Sequence, residues 1–181
     1  MHPSVLDFLR SSVRQSEIFG KEVLEVGSQN VNGSPREIIG PMGPRKYIGI
    51  DFQLGADVDL ALRVEDLVTY FGLDRFDVVI STEMLEHARD WRTAVEQMKA
   101  VLGPSGMLII TTRSPGFPFH GFPHDYWRFR PEDFKKIFAD MRIERLEQDS
   151  LPGHPGVFLK AWKTTDRPSV DLSKVDVPGV A

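Results

Sequence analysis

The sequence predicts an α/β fold in a single domain, with a mostly parallel sheet and helices on both of its faces. Short apolar runs rich in β-branched residues alternate with amphipathic stretches of helical period, which is the pattern of βαβ units. The 181 residues are enough for one domain with a buried core. Hydrophobic residues make up 41% and charged residues 27% of the chain, which is the balance of a globular protein rather than a disordered one.

Seven runs of apolar residues predict the strands of this sheet. In chain order they are 22–26, 47–51, 58–61, 76–81, 107–112, 142–148 and 157–163. The last two runs complete the sheet, and one of them can be antiparallel. A turn at 103–106 leads into the strand at 107–112.

The remaining periodic stretches predict helices at 4–15, 35–39, 84–102 and 131–138. Pro131 suits the first position of its helix, where its missing N–H costs little. We therefore assign one domain to residues 1–163. Residues 164–181 predict an extended C-terminal tail that is dispensable for the core.

Charge and composition disfavour several classes of protein. The net charge of −4 disfavours nucleic acid as the main partner, and the absence of cysteine excludes disulfides and thiolate catalysis. The first residues lack the basic and apolar regions of a signal peptide. No apolar run approaches the ~20 residues that a membrane span needs, so we expect a cytoplasmic protein without membrane contact.

Polar residues at the ends of the first two strands predict a ligand site. Glu25 and Gly27 close the first strand, and Asp51 closes the second. Glycine lets the backbone approach a ligand, and a carboxylate at this place can accept both hydroxyls of a ribose. The spacing from Gly27 to Gly33 lacks the GxGxxG pattern, which argues against a dinucleotide. A plain strand–turn–helix connection is the alternative.

Several segments together resemble the class I S-adenosylmethionine-dependent methyltransferases, of the type 11 kind. The segments, which read LEVG, GID, FDVVISTEMLEH and LGPSGMLIITT, lie at 24–27, 49–51, 76–87 and 102–112. Their order and spacing fit that family over about residues 20–160. The resemblance implies a Rossmann-like fold and S-adenosylmethionine as the cofactor.

The resemblance also implies which residues hold the cofactor. These are Glu25 and Gly27 at the methionine part, Ser28 in the same loop, Asp51 at the ribose, Phe52 and Val64 beside the adenine, and Ser81, Thr82 and Glu83 beneath the sulfonium.

Three residues depart from the family pattern. Gln29 and Val31 stand where the family often has glycine, and Arg63 stands where it usually has an aspartate that accepts from the adenine amino group. These departures leave an alternative open, in which the domain is a non-catalytic binding or scaffold module with a weakened cofactor site.

The aromatic loop at 114–129 follows a central strand and is placed to cover an acceptor. His124 and His120 are the candidate bases for a hydroxyl of a small or carbohydrate-like acceptor, with an amine as second choice. His124 is the first choice of the two, because Asp125 follows it directly and could hold its ring, whereas nothing beside His120 in sequence would orient that ring. The other loop candidates are Phe117, Phe119, Phe122, Tyr126, Trp127 and Arg128. In the alternative interpretation, an Asp125–Arg128 pair and aromatic packing only fix the loop.

Glu83, Glu86 and His87 share one face of the predicted helix, at positions i, i+3 and i+4. Their run is similar to one that ubiquinone-pathway O-methyltransferases use for a divalent metal. Two carboxylates and an imidazole can hold such an ion. Acidic capping of the helix start is the alternative, so the sequence leaves the metal open.

Overall fold

Seven strands form one sheet at the centre of the protein. In this computed structural model, which describes residues 2–121, 124–149 and 151–180, the strands are β1 (Glu22–Val26), β2 (Lys46–Asp51), β3 (Leu60–Ala61), β4 (Phe76–Thr82), β5 (Leu102–Arg113), β6 (Met141–Gln148) and β7 (Gly156–Lys163). Their order across the sheet is β3-β2-β1-β4-β5-β7-β6. The first five are mutually parallel and β7 is antiparallel to both of its neighbours, which confirms the predicted mostly parallel sheet.

In the described part of the chain, six α-helices cover the sheet: α1 (Pro3–Ser12), α2 (Gln15–Ile18), α3 (Arg36–Ile39), α4 (Leu67–Phe71), α5 (Trp91–Val101) and α6 (Pro131–Ile137). Buried residues of α1, α2 and α3 pack on one face of the sheet, and those of α4, α5 and α6 pack on the other. Helices on both faces were predicted. Across the described residues, no helix has both the length and the apolar character needed to cross a membrane.

Alternation along the strands divides the core into two parts. Val23 of β1 packs with α1, whereas its neighbours Leu24 and Val26 pack with the layer that contains α5. Successive side chains of a strand point to opposite faces, so a strand buried on both faces reads as a continuous apolar run. The strand order reverses between β1 and β4, and ligands bind such sheets beyond the carboxyl ends of the strands at this point.

The helix predicted at 84–102 is shorter than expected. Residues Leu85–His87 form a 3₁₀ turn, and α5 begins only at Trp91, after Asp90. The Asp90 side chain accepts a hydrogen bond from the Thr93 backbone N–H at 3.1 Å, the contact of a helix N-cap. The prediction that Glu83, Glu86 and His87 share a helix face is therefore wrong.

Smaller differences concern element ends. The predicted first helix ends early, as α1 at Ser12, and a separate helix α2 begins at Gln15. Strand β3 keeps only two of its four predicted residues. The predicted turn at 103–106 lies inside β5, where the pairing with β4 shifts register between Phe76 and Val78. Ser105 has a φ of 59° within this irregular segment.

The C-terminal tail contributes to the core, contrary to our expectation. Leu172, Val175 and Val177 are buried and belong to the apolar cluster on the α5 side of the sheet. Arg92 of α5 donates hydrogen bonds to the carbonyl oxygens of Leu172 and Val175, at 3.0 and 2.7 Å. Apolar burial and these contacts hold the tail against the domain.

Candidate functional site

A cleft of about 530 Å³ opens beyond the carboxyl ends of β1, β2 and β4. Eight of the nine predicted cofactor residues line it: Glu25, Gly27, Ser28, Asp51, Phe52, Val64, Thr82 and Glu83. The ninth, Ser81, is fully buried and is not among the lining residues. The cleft therefore brings together residues that lie almost 60 positions apart in the chain.

Gly27 shapes the floor of the cleft where β1 ends. Its φ is 81°, a left-handed conformation that glycine adopts without strain. A Cβ at this position would lie 2.6 Å from Cβ and Cγ of Met84. The backbone N–H groups of Gly27 and Ser28 both donate to the carbonyl oxygen of Ile50 at 2.9 Å, so the turn is fixed on β2.

Asp51 ends β2 with its carboxylate at the cleft wall. Its oxygens accept hydrogen bonds from the backbone N–H groups of Phe52 and Gln29, at 2.8 and 3.3 Å. Burial raises the pKa of Asp51 above its ordinary value, and these backbone hydrogen bonds oppose that effect. Each oxygen accepts only one of these bonds, so lone pairs remain for a ligand diol.

Glu25 lies under the cleft and is almost completely buried, with 1% of its surface exposed. The Tyr47 hydroxyl donates to Glu25 Oε2 at 2.7 Å. Arg36 stacks on the Tyr47 ring at 4.7 Å and pairs with Asp59, whose carboxylate also accepts from the Gly49 N–H at 2.7 Å. A network of side chains from β2 and α3 thus fixes the carboxyl group.

The three departures from the family pattern do not fill the cleft. Val31 is 72% exposed, and the Arg63 side chain is exposed and paired with Glu65 at 3.5 Å. The Gln29 side chain turns towards Gly55, where an added Cβ would lie 1.9 Å from Gln29 Oε1. The bulkier loop leaves the cleft open.

On the acceptor side, His120 rather than His124 has an oriented ring. His120 Nδ1 lies 3.1 Å from Asp125 Oδ2, which also accepts from the His120 backbone N–H at 2.9 Å. Asp125 is buried against Arg128 with two side-chain hydrogen bonds of 2.5 and 2.6 Å. The Asp125–Arg128 pair is as predicted, but the expectation that Asp125 orients His124 is wrong.

His124 lines the cleft but its ring is exposed. The ring lies against Tyr126 with the centroids 5.4 Å apart. The His124 carbonyl oxygen accepts from His87 Nδ1 at 2.5 Å, so the lone pair of His87 is on Nε2. Phe122, another candidate of this loop, lies outside the described residues.

Glu86, His87 and His120 form a cluster beside the cleft. Glu86 is fully buried, and its Oε2 accepts from the Thr112 hydroxyl at 2.6 Å. Its Oε1 has no hydrogen-bond partner within the described part of the chain and lies 3.6 Å from His120 Nε2 and 3.9 Å from His87 Nε2. One donor atom from each residue lies within 4.8 Å of the others, as three ligands of a metal ion would.

The hydrogen bonds of the two histidines aim lone pairs at this carboxylate oxygen. Each Nδ1 donates to an oxygen, so each neutral ring has an unshared pair on Nε2. Two such pairs beside a carboxylate repel one another unless a proton or a cation lies among them. The cluster is therefore built to bind positive charge.

Glu83 is not part of this cluster, although the sequence grouped it with Glu86 and His87. Its φ is 55°, its carboxylate pairs with Arg113, and its Oε1 accepts from the Thr111 hydroxyl at 3.3 Å. Arg113 is fully buried and also donates to Asp149 at 3.4 Å. The contribution of His120 in place of Glu83 is a correction to the predicted set.

Sequence reasoning missed the contacts of Tyr47 and Arg113 in this site. Tyr47 was placed in a strand, but no pattern in the sequence relates it to Glu25. Arg113 stands at the end of an apolar run. A charged residue at such a place is rarely buried without a partner, so its position was a usable signal.

Comparisons with known proteins place these features in context. A sequence profile described as "Methyltransferase domain" matches residues 11–158. The chain is 27% identical over 133 residues to the "Ubiquinone biosynthesis O-methyltransferase" of Actinobacillus pleuropneumoniae serotype 7 (strain AP76), with 62% of this chain and 53% of that one covered. The chain spans about half the length of the curated relatives it matches.

Two solved structures share the fold. The 1,6-didemethyltoxoflavin-N1-methyltransferase of Burkholderia thailandensis, solved with 1,6-didemethyltoxoflavin and S-adenosylhomocysteine, has a TM-score of 0.67 at 17% identity, covering 89% of this chain and 76% of its own. An S-adenosylmethionine dependent methyltransferase from Mesorhizobium loti has a TM-score of 0.62 at 15% identity, covering 88% and 98%. At these identities the likeness establishes the Rossmann-like architecture.

Proposed function

The chain belongs to the methyltransferase-domain family, and from this premise we propose that it transfers the methyl group of S-adenosylmethionine to a hydroxyl of a small-molecule acceptor. The cleft beyond β1, β2 and β4 takes the cofactor. The cluster of Glu86, His87 and His120 handles the proton of the acceptor hydroxyl.

The cofactor assignment is supported by the cleft itself. Asp51 offers carboxylate oxygens to a ribose diol, Gly27 keeps the floor low, and Glu25 lies beneath the amino-acid end. Phe52 is 52% exposed at the rim, where an adenine ring can stack on it. S-Adenosylmethionine supplies the activated methyl group when bound, and these residues position it.

The observation that carries the hydroxyl assignment is the group of two imidazoles and one buried carboxylate beside the cleft. A methyl acceptor needs help with deprotonation only when its proton has a high pKa, as that of a hydroxyl does. A neutral amine already has a free lone pair and needs no such group. The O-methyltransferase name of the relatives agrees with this choice.

Two mechanisms can remove the proton. In the first, His120, oriented by Asp125, or His124, at the cleft wall, accepts it directly. In the second, Glu86, His87 and His120 would hold a divalent cation, which would supply Lewis-acid activation of the acceptor hydroxyl. The unpartnered Glu86 Oε1 fits a cation ligand, and the three donor atoms leave further coordination positions open.

The test is release of S-adenosylhomocysteine from S-adenosylmethionine in the presence of catechols, simple phenols, glycosides and amines, with and without Mg²⁺ or Mn²⁺. We expect turnover of hydroxyl acceptors, and a loss of about 10²-fold or more in kcat/KM for His120→Asn. His124→Asn is the matched variant. The ring of His124 lacks the Asp125 contact, so we expect kcat/KM to fall by less than tenfold.

Other results of this test would change the proposed function. Preference for amines would contradict the hydroxyl assignment, and turnover of glycosides alone would support the carbohydrate-like acceptor. Activity that persists after exhaustive chelation would leave only the direct base. Calorimetry that finds no binding at millimolar cofactor would favour the scaffold module instead.

A further inference from the structure

Glu25 is a buried carboxyl group whose surroundings provide a hydrogen bond but no neutralising cation. Its exposure is 1%, and the Tyr47 hydroxyl donates to it at 2.7 Å. Within residues 2–121, 124–149 and 151–180, no lysine, arginine or histidine forms an ion pair with it, since the nearby Arg36 is paired with Asp59. An isolated carboxylate at such a position is costly.

Burial outweighs the neighbouring groups that favour the ionised form of Glu25. Burial raises the pKa of Glu25 to about 8; the Tyr47 hydrogen bond and the charge of Arg36 lower it, and the charges of Asp57 and Asp59 raise it further. Asp57 and Asp59 lie between β2 and β3, Arg36 lies on α3, and Tyr47 lies on β2. Burial in this setting therefore favours the protonated carboxyl group.

Glu25 also lines the cleft, so a ligand can supply the cation that the protein omits. We infer that Glu25 is protonated in the free protein and releases its proton to solvent when the ammonium group of the cofactor's amino-acid end binds, so that the cleft selects ligands with a cationic end. This inference rests on the proposed cofactor site. The carboxyl O–H bond breaks, the proton passes to the buffer, and the ammonium retains its own protons beside the new carboxylate.

The coupling has a defined direction with pH. Below a pKa of about 8, binding must remove a proton from Glu25, so affinity for an ammonium-bearing ligand rises by up to tenfold per pH unit. The ligand's own α-amino group loses its charge near pH 8, which ends the rise. A ligand without that group gains nothing from the deprotonation.

Proton release is measurable by titration calorimetry of the full chain at pH 6.5 in buffers of different ionisation enthalpy. S-Adenosylhomocysteine, which carries the ammonium, should release about 0.9 proton per site. 5′-Methylthioadenosine, which lacks the amino-acid end, should release close to none. From pH 6 to 7 the affinity for S-adenosylhomocysteine should rise about tenfold.

Three variants test the assignment to Glu25. Glu25→Gln keeps the size of the side chain and should bind without proton release and without the pH dependence. Tyr47→Phe removes the hydrogen bond and should still release a proton, with the rise in affinity displaced to higher pH. Glu132→Gln changes an exposed glutamate of α6 that does not line the cleft, and should behave as the wild type.

The two proposals fail in different ways. Absence of binding by S-adenosylhomocysteine overturns the cofactor site and this inference with it. Binding without proton release, or equal release with 5′-methylthioadenosine, overturns only the inference. If Glu25→Gln does not fold, as judged by its circular dichroism, the Tyr47→Phe variant decides. At pH 8 it should release more protons on binding than the wild type, because more of its Glu25 is still protonated there, and equal release contradicts the assignment to Glu25.

Discussion

Gly27 ends β1 with a left-handed backbone and faces Met84 so closely that no side chain fits between them. The left-handed backbone is required by the turn after β1. The lack of space comes from Met84, which follows the end of β4. Glycine satisfies both, which explains why this position keeps its glycine while the loop beyond it carries larger residues. The same turn leaves the cleft open above it.

Gly27→Ala should destabilise the protein by about 2–4 kcal/mol, the sum of left-handed strain and overpacking. Gly20→Ala is the matched control, because Gly20 has a φ of 71° but open space around its Cβ position. It should cost only about 1 kcal/mol. Urea unfolding measures both, and equal costs would show that Met84 adapts freely.

The candidate bases show where residue-level prediction reaches its limit. The sequence identified the loop and both histidines, and it identified the Asp125–Arg128 pair. It assigned the orienting aspartate to His124 because the two are adjacent in sequence. In the structure the loop folds back, so that Asp125 contacts His120, five positions away. Adjacency in a loop does not determine contact, since loop geometry depends on distant packing.

At the scale of elements, the segment before α5 was the main error. Apolar residues continue with helical spacing from residue 84, so periodicity alone predicted a helix there. Asp90 followed by Thr93 is the pattern of an N-cap and would have located the helix start correctly. The early turn is what lets Glu86 and His87 approach His120, so the error in the element led directly to the error in the cluster.

The loop between β5 and α6 depends on the Asp125–Arg128 pair. Burial opposes ionisation of Asp125, but hydrogen bonds from Arg128 and from the His120 backbone, together with the charge of Arg128, lower its pKa to about 2. A depressed carboxyl pKa contributes stability that is fully present above the unfolded value of about 4 and is lost as the pH falls through about 2.

Asp125→Asn should therefore destabilise the protein by about 2–3 kcal/mol at pH 7, with about half of that difference left at pH 3. The matched control is Asp7→Asn, which breaks an Asp–Arg pair of the same spacing whose side chains are 73% and 59% exposed. That change should cost less than about 0.5 kcal/mol at any pH. Thermal unfolding between pH 3 and 7 measures both; a penalty independent of pH would contradict the role of ionisation.

For the whole molecule, the sheet was predictable and the contribution of the tail was not. Strand runs are continuous and apolar because both faces of the sheet are covered, which makes them easy to recognise. Leu172, Val175 and Val177 stand among charged residues and prolines. No helical or strand periodicity in this segment therefore predicts their burial. Their burial depends on a groove formed by distant parts of the chain.

Leu172→Ala should lower the free energy of unfolding by about 2–4 kcal/mol, because the side chain is 2% exposed and leaves a cavity. Leu73→Ala, at a leucine that is 66% exposed, should change it by less than about 0.5 kcal/mol. Chemical denaturation compares the two. Similar values for both variants would mean that the tail is detached in solution.

The position of β7 between β5 and β6 has a consequence for synthesis. During translation β6 leaves the ribosome before β7. It then has no strand to pair with, because β7, its neighbour in the sheet, is still inside the exit tunnel. Lys160 of β7 also donates to the Ser12 carbonyl oxygen and to Glu17 near the start of the chain. The start of the chain is thus joined to β7 late in synthesis. We expect a nascent chain stalled shortly after residue 148 to be bound by chaperones. A chain released beyond residue 177 should fold unaided.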